Sequence, residues 1–385
     1  MMYANQTRRS FMASAVATTA VLSSSRAYAA PPAAKIEETR VISHLKHRYH
    51  GWPTLARRAN GELLLVCSGG RESHVCPFGR IELMRSHDNG TTWSWPEVVM
   101  DGPIDDRDAG VLATAKGTLL VTTFTSLAYE PLLKKAETTE NYPADKLTRW
   151  QAAHQRVSDK QRQAALGVWM KRSTDGGVTW SGRYDCLVDS PHGPIQLADG
   201  RLLYAGKDLW REPHRIGVCE STDDGKTWEW LADIPTRDGD DHQNYHELHA
   251  VGAADGRIIV QIRNHNSKSA GETLQSDSDD GGKTWGKPKP IGVWGLPSHL
   301  LRLKDDRLLM TYGHRRAPLG NQARVSDDHG RSWSEPIILS GDGASGDLGY
   351  PSTVQLENGS FVTVWYELLK GAKHAQLRQA KWRLV

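Results

Sequence analysis

SHDNGTTW at Ser86–Trp93 recurs as STDGGVTW at Ser173–Trp180, STDDGKTW at Ser221–Trp228, SDDGGKTW at Ser278–Trp285 and SDDHGRSW at Ser326–Trp333. All five read Ser-x-Asp-x-Gly-x-Thr/Ser-Trp. The pattern suits a tight hairpin, in which the Asp carboxylate accepts from nearby backbone N–H groups and the Gly takes φ > 0. The Trp after the turn can plug a hydrophobic gap. Repetition on this scale predicts stacked supersecondary units in place of one continuous core.

A second repeat lies between the octapeptides, a Gly- or Asp-bearing turn followed by a short β-rich run. It reads NGELL from Asn60, KGTLL from Lys116, DGRLL from Asp199, DGRII from Asp255, DDRLL from Asp305 and NGSFV from Asn358. The second turn positions are 61, 117, 200, 256, 306 and 359, at intervals of 56, 83, 56, 50 and 53 residues. Six such units, each an inner hairpin plus an octapeptide hairpin, predict an all-β, six-bladed β-propeller over residues 36–385. The sixth unit lacks the octapeptide, so its outer strands are expected from Ala375–Leu384 and from the N-terminal run Thr39–Leu45. The 83-residue interval holds an insertion, roughly Leu127–Leu166. Its segment from Asp145 to Leu166, rich in Gln, Ala, Lys and Arg, predicts a helical insertion in blade two, placed over one face as a lid or packing element.

Ahead of the repeats stands Thr7-Arg8-Arg9-Ser10-Phe11-Met12, then the mildly apolar run Ala13–Leu22 and the small-x-small triplet Ala27-Tyr28-Ala29. Residues 1–29 read as a twin-arginine signal, with a periplasmic or extracellular destination. Of the formal net charge of +3 over 385 residues, Arg8, Arg9 and Arg26 lie in that segment with no acid beside them. The remainder is near neutral, which argues against a nucleic-acid partner. No apolar run is long enough for a membrane span. Export after folding removes the need for a disulfide framework, so Cys67 and Cys76 could pair or all four cysteines could stay as buried thiols.

The repeated turn also supplies a register. Nine residues before it, where inner strands face the axis, stand Trp52, Asp108, Pro191, Glu247, Pro297 and Tyr350. Seven after it come Ser68, Phe124, Lys207, Arg263, Gly313 and Tyr366, and ten after it, in blades one and five, Arg71 and Arg316. Two carboxylates, a tyrosine and four cations at matched positions of different blades would be a costly way to build a core. They predict a polar site on the axis.

The octapeptides resemble the Asp boxes of the sialidase (neuraminidase) superfamily, and the funnel residues extend the resemblance. Glu247 in YHELHAVGAADGRIIVQIRN and Arg263, sixteen residues on, match the family's Glu and triad Arg in type, spacing and intervening turn. Tyr350 in GDLGYPSTVQLENG stands where the family has its nucleophilic Tyr. Arg316 in GHRRAPLGNQARVSDDHG is the best match to the last triad Arg, with Arg315 and Arg324 as alternates. The resemblance implies an exported glycoside hydrolase of exo-sialidase type. Tyr350 would attack, Glu247 would activate it, and the arginines would hold a sugar carboxylate by bidentate bonds. The implied partner is a carboxylate-bearing glycan, and neither cofactor nor metal is implied.

Two family features are missing. The motif that opens the first blade with an Arg is here His50-Gly51-Trp52-Pro53, and the acid/base Asp has no counterpart in the loop GGRESHVCPFGR. Arg71 could restore the cation. Asp108 is the favoured proton donor, with Glu72 and His74 closer in sequence to the family's acid. His50, His192, His246, His249, His299 and His314 fall at or near funnel positions, and His50 and His299 join Lys207 as candidate substrate contacts. Trp52, Trp150, Trp210 and Trp294 lie outside the octapeptides and could stack on a sugar face. The same fold and arginines would also serve a uronic-acid hydrolase or polysaccharide lyase, or a non-catalytic glycan-binding propeller.

Overall fold

The computed structural model describes residue 1, residues 32–139 and residues 141–385; the expected export signal lies outside the described residues. From there on the chain is six four-stranded antiparallel sheets, each built on one copy of the repeat. Five blades use consecutive strands. Blade six joins Leu348–Gln355, Phe361–Glu367 and Gln376–Leu384 to the N-terminal strand Ala34–Val41. That closing strand lies earlier than Thr39–Leu45, pairing from Ala34↔Leu384 to Val41↔Arg378. Its ladder ends because the Ser43 hydroxyl, and not a backbone carbonyl, accepts the Leu377 N–H at 2.8 Å.

Each octapeptide closes an outer hairpin by one set of bonds. In the first, the Ser86 hydroxyl donates to Asp88 at 2.8 Å and accepts the Gly90 N–H at 2.8 Å. The Asp88 carboxylate then takes the Thr92 amide at 2.8 Å and hydroxyl at 2.7 Å. Asp175, Asp223, Asp280 and Asp328 repeat the arrangement. The Thr284 hydroxyl and amide hold the Asp280 carboxyl down to about 2. Two of the tryptophans tie neighbouring blades together: Trp93 donates to Gln379 of blade six at 2.8 Å, and Trp333 to Gln275 of blade four at 3.1 Å.

The core is correspondingly divided among the blade interfaces. Leu64, Val66 and Leu83 of blade one pack with Val111, Leu119 and Val121 of blade two. Each such aliphatic side chain, fully buried, stabilises the ring by roughly 1.5–3 kcal/mol. Five of the six inner turns place Gly at φ between 79° and 90°, while blade five puts Asp306 there at φ 69°.

The inner strands carry the feature that makes the site. In blade one Gly51 pairs with Ser68 and Thr54 with Val66, so Trp52 and Pro53 together oppose the single residue Cys67. The same bulge separates Arg107 from Gly110, His246 from His249 and Gly349 from Ser352. Within each bulge sits the residue nine before the turn, in the left-handed region: Trp52 at φ 53°, Asp108 at 45°, Glu247 at 48° and Tyr350 at 53°. A non-glycine residue there costs on the order of 1–3 kcal/mol. The bulge turns a strand side chain toward the axis. Blades three and five have Pro191 and Pro297 instead, whose rings forbid positive φ. Their inner strands begin only at Ile195 and Ser298.

The insertion is helical, as expected, and starts earlier. It forms α1 (Glu130–Thr139), α2 (Ala144–Gln155) and α3 (Asp159–Ala165), the last opened by a Ser158–Gln161 capping box. It docks on the long loop of blade one. Trp150 packs on Cys76, Tyr129 and Leu133, and its indole N–H donates to Glu72 at 3.0 Å; Arg149 grips the same carboxylate at 2.8 Å. All four cysteines are free and buried. No helix among the described residues is long and apolar enough to cross a membrane.

Candidate active site

The four bulges open on one cavity of about 330 Å³ at the axis, at the low end of the roughly 300–1,000 Å³ common for small-ligand clefts. Trp52, 2 % exposed, lines it between His74 and Tyr350. On one wall the Tyr350 hydroxyl donates to Glu247 Oε1 at 2.6 Å. Arg263 Nη1 donates to both oxygens of Glu247, at 2.8 and 2.6 Å, and lies 3.2 Å from the Tyr350 hydroxyl. Arg263 reaches this position because it stands opposite the Glu247 bulge, paired with His246. Its Nε donates to His265 Nε2 at 2.8 Å, which fixes the plane of the guanidinium.

The electrostatics set the three groups apart. Burial pushes the Glu247 carboxyl upward, but the Arg263 charge and hydrogen bonds from Arg263 and Tyr350 outweigh it and hold the group below its ordinary value. Burial first, and then the Glu247 charge, drive the Tyr350 phenol well above 10. The resting pair is therefore a neutral phenol hydrogen-bonded to an ionised carboxylate. Asp108 faces the same cavity at 7 % exposure. Burial, followed by the Glu247 charge, raises it to about 7 against the pull of Arg107, Arg71 and Arg263.

Tyr350, Glu247, Asp108 and Arg263 thus meet as the register predicts. The other expected contacts do not. Arg316 stacks its guanidinium over Trp294 at 4.6 Å, and its neighbour Arg315 lines the cavity. The Leu348 carbonyl accepts from Arg315 Nε at 3.0 Å and turns that side chain inward. Arg71 has no exposed surface and is paired bidentately with Asp105 at 2.6 and 2.9 Å. Its remaining donors go to Ser68 Oγ and the His74 carbonyl, both at 2.9 Å. It braces the blade-one loop and has nothing left for a ligand.

Lys207 gives its ammonium to the Gln243 carbonyl at 2.6 Å, outside the cavity lining. His50 is buried beside Ser43 and Glu82, and burial lowers it to about 4, so it is neutral. His299 lies deeper on the axis, stacked on His249 at 4.8 Å and edge-on to His192 at 5.1 Å. These three line a second cavity that opens at the turn ends of the inner strands, with Arg57 and Arg302 at its edge. His249 Nδ1 accepts the Leu300 N–H at 2.9 Å, so its proton sits on Nε2. Trp150 is fully buried, whereas Trp210 and Trp294 are 42 % and 37 % exposed.

Arg107 is the cavity residue that sequence reasoning missed. Its guanidinium lies 4.7 Å over the Trp52 ring, and its buried Nε has no hydrogen-bond partner among the described residues. On a regular strand the neighbour of Asp108 would point away. The bulge brings both side chains to the same side, and no spacing in the sequence announces that. His74, which also lines the cavity, comes from the blade-one loop.

The family model for the BNR repeat-like domain matches residues 143–363. The sialidase of Micromonospora viridifaciens is 26 % identical over 212 residues, 46 % of this chain and 32 % of that protein. The chain therefore matches about a third of the length of that curated relative. Among solved structures, a Dyadobacter fermentans protein of unknown function superposes with a TM-score of 0.72 at 23 % identity, over 91 % of this chain and 99 % of that one. The NanB sialidase of Streptococcus pneumoniae superposes at 0.63 and 15 % identity, over 89 % and 70 %. At such identities the superpositions speak for the propeller fold.

Proposed function

The chain belongs to the BNR repeat-like domain family, in the sialidase-like superfamily, and from that premise we propose a retaining exo-glycosidase that removes a terminal carboxylate-bearing sugar, of the sialic acid kind, from a glycan. The observation that carries this reading is the Tyr350–Glu247–Arg263 cluster on the cavity wall. A sugar with a carboxylate on its anomeric carbon repels a carboxylate nucleophile. A neutral phenol avoids that repulsion and becomes nucleophilic as it passes its proton to Glu247, the 2.6 Å acceptor. Arg263 remains beside both atoms through the transfer, so charge moving from carboxylate to phenolate stays compensated.

Three arginines then face the sugar carboxylate, from blades four, five and two: Arg263, Arg315 and Arg107. Arg263 commits Nη1 and Nε to Glu247 and His265, and Nη2 is the donor that remains. Arg107 replaces the cation absent from the first blade, and Arg71 supports the wall. Asp108, held near 7, offers a protonated carboxyl to the polar substituents of the bound ring or to the leaving oxygen.

The test is a panel of sialosides and uronosides, with free sugar and product anomer followed by NMR. Release of a sialic-type sugar with retained configuration is expected, falling roughly 10³-fold or more in Tyr350→Phe. An unsaturated product absorbing in the ultraviolet, or hydrolysis that survives Tyr350→Phe, would overturn the reading.

A further inference from the structure

Resting on that reading, we infer that His74, oriented by Asp347, is the general acid that protonates the leaving oxygen. Besides the Tyr350–Glu247 pair, the cavity offers two side chains suited to carrying that proton, Asp108 and His74. They differ sharply in exposure. Asp108 is 7 % exposed, close to the Glu247 charge. The His74 side chain is 48 % exposed, at the rim. An exo-acting site swallows the terminal sugar and leaves the rest of the glycan in solvent, so the scissile oxygen lies toward the mouth.

His74 is also built for the task. Its Nδ1 lies 3.1 Å from Asp347 Oδ1 and 2.8 Å from the Tyr49 hydroxyl, which itself donates to Asp347 at 2.9 Å. Burial works against the Asp347 charge, yet bonds and charge from His74, with bonds from Tyr49 and Tyr366, keep that carboxyl below its ordinary value. An ionised Asp347 holds the proton on Nδ1 and leaves Nε2 as the edge for the substrate. The ring stands edge-on to Trp52 at 5.0 Å, and Trp52 stands edge-on to Tyr350 at 6.4 Å, so the indole spaces acid from nucleophile. The loop backbone is pinned as well. Arg71 donates to the His74 carbonyl, and Glu72 is clamped by Arg149 and Trp150 of the insertion.

In the first step the bond between the anomeric carbon and the leaving oxygen breaks, its electron pair going to that oxygen, which takes the Nε2 proton of imidazolium His74. The Tyr350 oxygen bonds to the anomeric carbon as its proton passes to Glu247. In the second step neutral His74 takes a proton from water, the water oxygen bonds to the anomeric carbon, and the tyrosyl oxygen leaves and recovers its proton from Glu247.

The test compares wild type, His74→Gln, Asp347→Asn and Asp108→Asn on two substrates of the same acidic sugar, one with a sugar leaving group and one with a nitrophenyl group that departs without a proton. His74→Gln is expected to lose roughly 10²–10⁴-fold in kcat/KM on the first and under about tenfold on the second. Asp347→Asn should repeat that selectivity in weaker form. Added azide should raise kcat of His74→Gln on the nitrophenyl substrate and yield the glycosyl azide, since an anionic nucleophile needs no base. Equal losses on both substrates for His74→Gln, or the selective loss appearing in Asp108→Asn instead, would overturn the assignment. A wild type that cleaves neither substrate would sink the parent reading, an outcome these comparisons keep separate.

Discussion

Asp108→Asn should make this protein more stable, by an amount that depends on pH. The carboxyl titrates at about 7 in the folded chain against an ordinary 3.8, because burial and the Glu247 charge oppose its ionisation. A raised folded value means the native state binds more protons than the unfolded one between those limits. The stability it carries is whole below 3.8 and is lost as pH rises through 7. Worked from the two values, the cost of the native carboxyl relative to a neutral amide is about 4 kcal/mol at pH 8, about 2 kcal/mol at pH 5 and nearly nothing at pH 3. Asn is the right probe because it is isosteric and tolerates left-handed φ, 45° here. Guanidinium denaturation of both proteins at pH 5 and pH 8 reads the difference directly, with equal m-values required. A gain of 2 kcal/mol or more between those pH values is expected. A pH-independent difference, or a less stable variant at pH 8, would refute the argument that the site holds this acid against its preference.

Arg107→Gln should raise KM for the acidic sugar roughly 10–100-fold with a smaller change in kcat, as expected for a charged hydrogen bond to a carboxylate present in ground and transition states alike; an unchanged KM would remove it from the clamp. Asp306→Gly should stabilise the fold by about 0.5–1 kcal/mol, since it relieves φ 69° at the one inner turn without glycine, less the exposed Arg302 ion pair it forfeits. Thermal or denaturant melting decides it, and a loss of stability would show that the ion pair outweighs the backbone strain.

How much of this was legible beforehand follows from what each feature depends on. The octapeptides and inner turns are local chemistry: a carboxylate two residues after a serine and a glycine at positive φ close their hairpins wherever they occur. The six inner turns, with five octapeptides between them, therefore give six blades by inspection. Tyr350, Glu247 and Asp108 stand nine residues before those turns and Arg263 seven after one of them, so the register of the repeat marks them. Arg107 escaped because the bulge beside Asp108 sets its direction, and Arg315 and His74 stood only as alternates because a Leu348 carbonyl and an Asp347 carboxylate, both from blade six, orient them. Arg71 failed for the complementary reason. It has the right offset, but Asp105 in the next blade accepts from both Nη atoms of its guanidinium, and nothing in the spacing of the sequence reveals a partner 34 residues away.

A ring of six near-copies is a poor host for a sugar, which has no rotational symmetry to match. The bulged position resolves this with one residue per blade. Where it is Trp, Asp, Glu or Tyr the backbone flips and that side chain enters the site; where it is Pro the inner strand gives nothing at this position, and blade five reaches the cavity through Arg315, just after its second strand. Pro191 and Pro297 are thus as formative as Tyr350, since they decide which two inner strands place no bulged side chain in the funnel. New sites on this scaffold need not await new loops. A change at one of six equivalent positions, with the outer strands untouched, enlists a blade or retires it.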